Sequence, residues 1–184
     1  MKKTWLIVVA VVAALAIWLV SGYNGLVQLD ETTNNQLAQV QTQLQRRSDL
    51  IPNLVSTVKG YASHEQAAIQ AVSDARAKLG GAQTVEDMSK ADGELSNALS
   101  RLLMITENYP DLKADQNFRA LQDELAGTEN RIAVARKDYN GAVRAYNSKI
   151  RTFPTSIYAG MFGFDQKAYF QADDTAQTAP KVSF

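Results

Sequence analysis

The chain has 184 residues, 46% hydrophobic and 21% charged, and its 19 basic and 19 acidic side chains leave no net formal charge. It has no cysteine, which excludes disulfides, thiol catalysis and thiolate metal sites. Its one histidine, His64, excludes a multi-histidine metal centre, although carboxylates alone could bind magnesium or calcium weakly; no cofactor is expected. Setting Lys2 and Lys3 aside reduces the 19 basic side chains to 17 against 19 acidic, the opposite of the basic face a nucleic-acid binder needs.

After Lys2, Lys3 and Thr4 come sixteen apolar residues in a row, Trp5 to Val20. A bilayer needs about 20, and the uncharged stretch Gly22 to Val27 can complete the crossing at the interface. Residues 1–22 are therefore expected to be an N-terminal transmembrane anchor held in the lipid bilayer, with Trp5 and Trp18 as aromatic belts near its ends. A signal peptide cleaved near Val20, Ser21 and Gly22 is the competing reading; the length of the apolar run and the two tryptophans favour the anchor. No Lys or Arg lies between Gly22 and Arg46, whereas Asp30 and Glu31 follow the segment. The positive-inside rule then puts the N-terminus in the cytoplasm and the remainder outside.

Residues 23–153 carry helical periodicity throughout, with no β-type alternation, and are expected to form an all-α, antiparallel bundle of three to four long helices. In Asn34 to Gln45, Leu37, Val40 and Leu44 mark one helical face, and the other face is uncharged. That face is ordinary surface or a contact with another copy of the chain. The seam continues through Ile51, Leu54, Val58, Tyr61, Ala68, Val72, Ala75 and Leu79, and Pro52 leaves two readings open. Either one kinked helix runs to Leu79, as the unbroken heptad phase favours, or the chain reverses at Arg47 to Asp49, as the helix lengths favour. Gly80 and Gly81 end this helix, and Thr84 with Asp87 three residues on starts the next, whose seam is Val85, Met88, Leu95, Leu99, Leu102 and Tyr109.

Pro110 stops that helix, and Asp111 to Phe153 reads as one uninterrupted helix of about 60 Å. Its seam is Phe118, Leu121, Leu125, Ile132, Ala135, Tyr139, Val143, Tyr146, Ile150 and Phe153, with Asp115 and Arg119 paired at i, i+4. A helix of that length with one narrow seam needs partners along most of it. Residues 154–170 hold Tyr158, Met161, Phe162, Phe164, Tyr169 and Phe170 between Gly160 and Gly163. Such a segment must bury its aromatics, as a cap on its own bundle, or against a second copy or the bilayer. Residues 171–184 read as a flexible tail.

No phosphate loop, nucleophile elbow or metal-binding histidine pair occurs. His64 and Glu65, side by side on a helix, would point to different faces, which favours a surface role over acid/base chemistry. Arg46, Asp49 and Asn53 on one face, and Arg136, Asn140 and Asn147 along the last helix, are candidates for interhelical register. The expectation is a protein without catalytic residues.

Several blocks resemble the bacterial LemA family. They are Gln43-Leu44-Gln45-Arg46-Arg47 with Asp49-Leu50-Ile51-Pro52-Asn53-Leu54-Val55, then Val58-Lys59-Gly60-Tyr61 with His64-Glu65, and Glu107-Asn108-Tyr109-Pro110-Asp111-Leu112-Lys113-Ala114. Tyr139-Asn140, Tyr146-Asn147, Phe153-Pro154 and Phe162-Gly163-Phe164 continue the likeness. Asp30 to Gln36 is more polar than the matching stretch of the family. The resemblance implies a single-pass protein of the bacterial inner membrane with an antiparallel helical bundle and no established enzymatic activity. Relatives in magnetotactic bacteria are associated with building an intracellular membrane compartment. The uncharged face near the membrane, the narrow seams and the aromatic segment after Pro154 together lead to the expectation of a homo-oligomer that organises or shapes the membrane, the bundle standing in the periplasm. The alternative is an adaptor or accessory subunit for a membrane protease, transporter or signalling protein.

Overall fold

Sixty consecutive residues, Lys2–Tyr61, form one helix, α1, about 90 Å long. The computed structural model describes residues 2–171, all helices and connections with no strand among them. After α1 come α2 (Gln66–Gly81), α3 (Val85–Thr106), the short α4 (Pro110–Ala114), α5 (Gln116–Arg151) and α6 (Thr155–Ala159). A 3₁₀ turn, Gly160–Phe162, leads into an extended segment that runs to Gln171.

Pro52 lies inside α1 without ending it. A proline has no N–H to give to the carbonyl one turn back, here that of Ser48. The guanidinium of Arg76 on α2 supplies the missing donor, its Nε standing 2.9 Å from Ser48 O. Both sequence readings of this region need correction: the chain does not reverse at Arg47 to Asp49, nor does one helix reach Leu79. The reversal comes at Ala62–Glu65, where Gly60, Ser63 and His64 are poor helix formers and Glu65 N–H bonds back to Ala62 O at 3.1 Å. α2 then returns alongside α1.

α3 opens on the expected cap, Thr84, whose hydroxyl accepts the Asp87 N–H at 3.0 Å. The Asp111 to Phe153 helix is in fact two. Asp115 leaves helical geometry (φ −61, ψ 128) and its carboxylate accepts the Phe118 N–H at 2.8 Å, so it is the N-cap of α5 and not an i, i+4 partner on the helix surface. Its other oxygen accepts the Tyr61 hydroxyl at 3.1 Å, which pins the top of α5 to the end of α1. α5 ends at Arg151, and Phe153, placed on the seam by periodicity, is 77% exposed.

α1 and α5 run antiparallel over the whole bundle: Tyr61 meets Asp115, Arg47 meets Glu129, and Leu26 packs with Ile150. α2 and α3 flank them only at the far end, burying Val58, Val72, Leu95, Leu102, Phe118 and Ile132 in one core. Nearer the apolar run α1 and α5 continue as a two-helix ribbon, closed at its base by a small second core of Leu26, Tyr146, Ile150, Tyr158 and Ala159. Below Leu26 the apolar run of α1 stands uncovered, with Trp5, Leu6, Ile7 and Ile17 more than 60% exposed. It is long and apolar enough to cross a membrane.

Candidate functional site

Four features of the bundle could carry function. The first is a buried ion network. Arg47 takes an α1 seam position between Leu44 and Ile51, and Asp92 takes one on α3 between Met88 and Leu95. Arg47 Nη1 lies 2.8 Å from Asp92 Oδ1 and 2.8 Å from Glu129 Oε2 of α5, while Arg136, also of α5, pairs with the second Asp92 oxygen. The side chains of Arg47 and Asp92 are 6% and 0% exposed. Burial pulls the Arg47 guanidinium below its ordinary value, and the neighbouring Glu129 charge opposes that shift. Two cations and two anions pair across three helices, an arrangement suited to fixing register.

The second feature is a strap. The extended segment after Gly163 runs back along α5, and two asparagine side chains hold it through both halves of their amides. Asn147 gives its Nδ2–H to Lys167 O and accepts the Lys167 N–H, each at 2.9 Å. Asn140 does the same for Phe170, at 2.9 and 2.8 Å. Seven helical residues rise about 10.5 Å and three extended residues span about 10 Å, so the two clamps match in spacing. Between them the Tyr139 hydroxyl donates to Ala168 O at 2.8 Å. Phe170 enters the main core beneath the Arg136 guanidinium, 4.6 Å from ring centre to Cζ. Lys167 reaches across to α1, with Nζ 2.9 Å from Asp30 and 2.6 Å from Asn34.

The third is an aromatic collar where the apolar run ends. Tyr158 of α6 meets Trp18 edge-on at 6.0 Å, and Tyr23 meets Phe162 and Phe164 at 5.3 and 5.6 Å. Gly22 makes this approach possible, since a Cβ there would stand 2.2 Å from the Tyr158 hydroxyl. The fourth is an open groove on the ribbon's other side, lined by Gln36, Gln39 and Gln43 of α1 and Asn130, Val134 and Asp138 of α5. At 3.6 residues per turn the three glutamines lie about 140–200° around α1 from Asn34, so strap and groove occupy opposite faces. The Gln43 amide oxygen is buried there with no hydrogen-bond partner among the described residues, and Val134 is 59% exposed.

The profile of the LemA family matches residues 36–184. The chain belongs to the LemA family. It is 31% identical to magnetosome protein MamQ 2 of Paramagnetospirillum magneticum, over 95% of this chain and 75% of that protein. Magnetosome protein MamQ of Magnetospirillum gryphiswaldense is 28% identical over 87% of this chain and 70% of its own length. Protein LemA of Metamycoplasma hominis is 26% identical, over 82% and 69%.

In this LemA family chain the residues singled out from sequence separate into different roles. Trp5 and Trp18 both stand on the apolar run, 67% and 45% exposed. Arg46 pairs with Glu124 of α5 at 2.6 Å on the surface, whereas Asp49 accepts from Gln45 of its own helix at 2.7 Å and Asn53 is exposed. Arg46 thus pairs across helices at the surface, and Arg47, one residue on, is the buried member of the pairing because it occupies the seam. Arg136 joins the ion network, but Asn140 and Asn147 bond to the strap and not across helices. Of the aromatic segment, Tyr158 and Phe170 are buried within their own chain and so are removed from the contact set. Phe164 is half-buried, and Met161, Phe162 and Tyr169 remain exposed. His64 and Glu65 sit in the α1–α2 turn, not on a helix: His64 is exposed, and Glu65 accepts the Tyr109 hydroxyl at 2.9 Å. No group of three or more His, Asp or Glu side chains suited to a metal occurs among the described residues. Of the tail, Gln171 accepts from the Ser89 hydroxyl at 2.9 Å, and 172–184 lie outside the described residues.

Asp92 and Arg47 escaped the sequence reading because charged residues at seam positions look like gaps in an apolar pattern. The step from Met88 to Leu95 skips one seam position, and Asp92 fills it.

Proposed function

We propose that this LemA family chain is a non-enzymatic, membrane-anchored bundle that self-associates and thereby organises or shapes the membrane holding it. Residues 2–22 cross the bacterial inner membrane once, and the bundle stands in the periplasm. The continuity of α1 supports this reading: no loop separates the apolar run from the bundle, so the bundle axis and the span axis are one rod. Side-by-side packing of such rods sets the angle between neighbouring spans. The groove, with its exposed Val134 beside Gln36, Gln39 and Asn130, is the surface where a second copy adds apolar burial and hydrogen-bond partners. The magnetosome proteins among the relatives fit the same role.

The test uses the absence of cysteine. Gln39→Cys in the full chain, treated in native membranes with a short bismaleimide, is expected to give a covalent homodimer, and Ser100→Cys on α3 is expected to give none. A cross-link from Gln39→Cys to a different membrane protein in fixed one-to-one ratio would replace self-association with the adaptor role.

A further inference from the structure

Phe153 in the turn that enters α6, Ile157 within it and Met161 in the 3₁₀ turn that follows are 77%, 63% and 82% exposed. The other side of the same short element, Thr155, Tyr158 and Ala159, is buried. This small amphipathic unit is fixed in height, because Tyr158 rests on Trp18 and Gly22, within and just beyond the last turn of the apolar run. If that run spans the bilayer, α6 stands where acyl chains give way to headgroups, the layer in which an apolar face with aromatic flanks is buried. Lys149 and Arg151, exposed in the last turn of α5, bring positive charge beside it. Asp165, exposed after the 3₁₀ turn, is the nearest acid in the chain beyond it.

We infer that α6 is a second membrane attachment, a foot whose Phe153, Ile157 and Met161 enter the lipid interface beside the span. One helix through a bilayer can tilt and slide along its axis; a foot beside it resists both and holds the α1/α5 groove at a fixed height above the membrane. The inference rests on the membrane-anchor part of the proposed function and not on self-association.

Single-cysteine variants Ile157→Cys, Val12→Cys and Ser63→Cys of the full chain carry an environment-sensitive NBD label. Each is placed in phosphatidylcholine–phosphatidylglycerol nanodiscs at one chain per disc. The expected result is blue-shifted emission at position 157 that is quenched by lipids brominated near the headgroup end of the acyl chain. Position 12 is quenched by deeply brominated lipids, and position 63, just past the end of α1 and about 75 Å from position 12, by neither. Lipid quenching at 12 with a water-like label at 157 overturns the foot and leaves the anchor standing. A label at 12 that no lipid quenches overturns the anchor and the foot together. Blue-shifted emission at 157 without lipid quenching means protein covers the face, and also overturns the foot.

Discussion

The passage of α1 through Pro52 depends on a side chain from another helix, and that dependence is measurable. Proline inside a helix costs about 3 kcal/mol through its ring and its missing donor. The missing donor here leaves the carbonyl of Ser48, a residue only 8% exposed, without its helical partner, and Arg76 Nε occupies that carbonyl at 2.9 Å. A hydrogen bond from a charged donor contributes about 1.5–3 kcal/mol, and a shielded acceptor left unpaired costs about 1–3 kcal/mol. Arg76→Met is therefore expected to destabilise the bundle by about 2 kcal/mol. In a Pro52→Ala background the N–H of position 52 can reach Ser48 O itself, so the same substitution should cost about 0.5 kcal/mol or less. The coupling energy, about 1.5 kcal/mol, is read from a double-mutant cycle by urea denaturation of the full chain in mild detergent, followed by far-UV circular dichroism. Equal cost of Arg76→Met in both backgrounds would refute the reasoning.

Asp92→Asn strips the charge that pairs Arg47 with Arg136 and should cost about 3 kcal/mol. The triple change Arg47→Met, Asp92→Leu, Arg136→Met should recover to within about 1 kcal/mol of the parent in the same denaturation assay. Asn147→Leu removes two hydrogen bonds worth about 0.5–1.5 kcal/mol each, so exchange of the Lys167 amide should quicken by roughly 5- to 160-fold. Gly25→Ala, with nothing within 4 Å of its new Cβ, should stabilise α1 by about 1 kcal/mol. Gly22→Ala should lose that gain against Tyr158 and shift the Trp18 fluorescence. Asp115 is held below the usual carboxylate range chiefly by the Phe118 N–H, with the Tyr61 hydroxyl adding to it. A depressed folded-state value means that its contribution is present above the unfolded carboxylate value of about 3.9 and is lost as pH falls through the lower folded value. Acid-side thermal unfolding should therefore be less steep in Asp115→Asn, whose amide still caps α5.

The all-helical bundle was legible because apolar residues three and four apart, from Phe118 to Ile150, mark the buried stripe of α5 wherever packing is apolar. The helix ends were less so. Asp115 can pair with Arg119 on a helix surface or cap a new helix, and the choice is made by Tyr61, which lies 54 residues away in sequence. The course through Pro52 depends likewise on Arg76, which no local pattern around Pro52 contains. Asn140 and Asn147 stood out as a polar line, but their partners are main-chain atoms of an extended segment, and backbone carries no sequence pattern to recognise. The foot was hidden for a related reason: the aromatic segment announces that it must be covered, while the split between Tyr158 inside and Met161 outside is set only when Gly22 opens a notch for the Tyr158 ring.

The most direct test of the central claim is the mass of the full-length protein in native-lipid nanodiscs or mild detergent, by mass photometry followed by electron microscopy. Self-association through the groove predicts a defined multimer that falls to single chains when Gln39→Glu and Val134→Glu place charge on that face. A parent protein that stays monomeric across a wide concentration range in its own lipids would contradict the account.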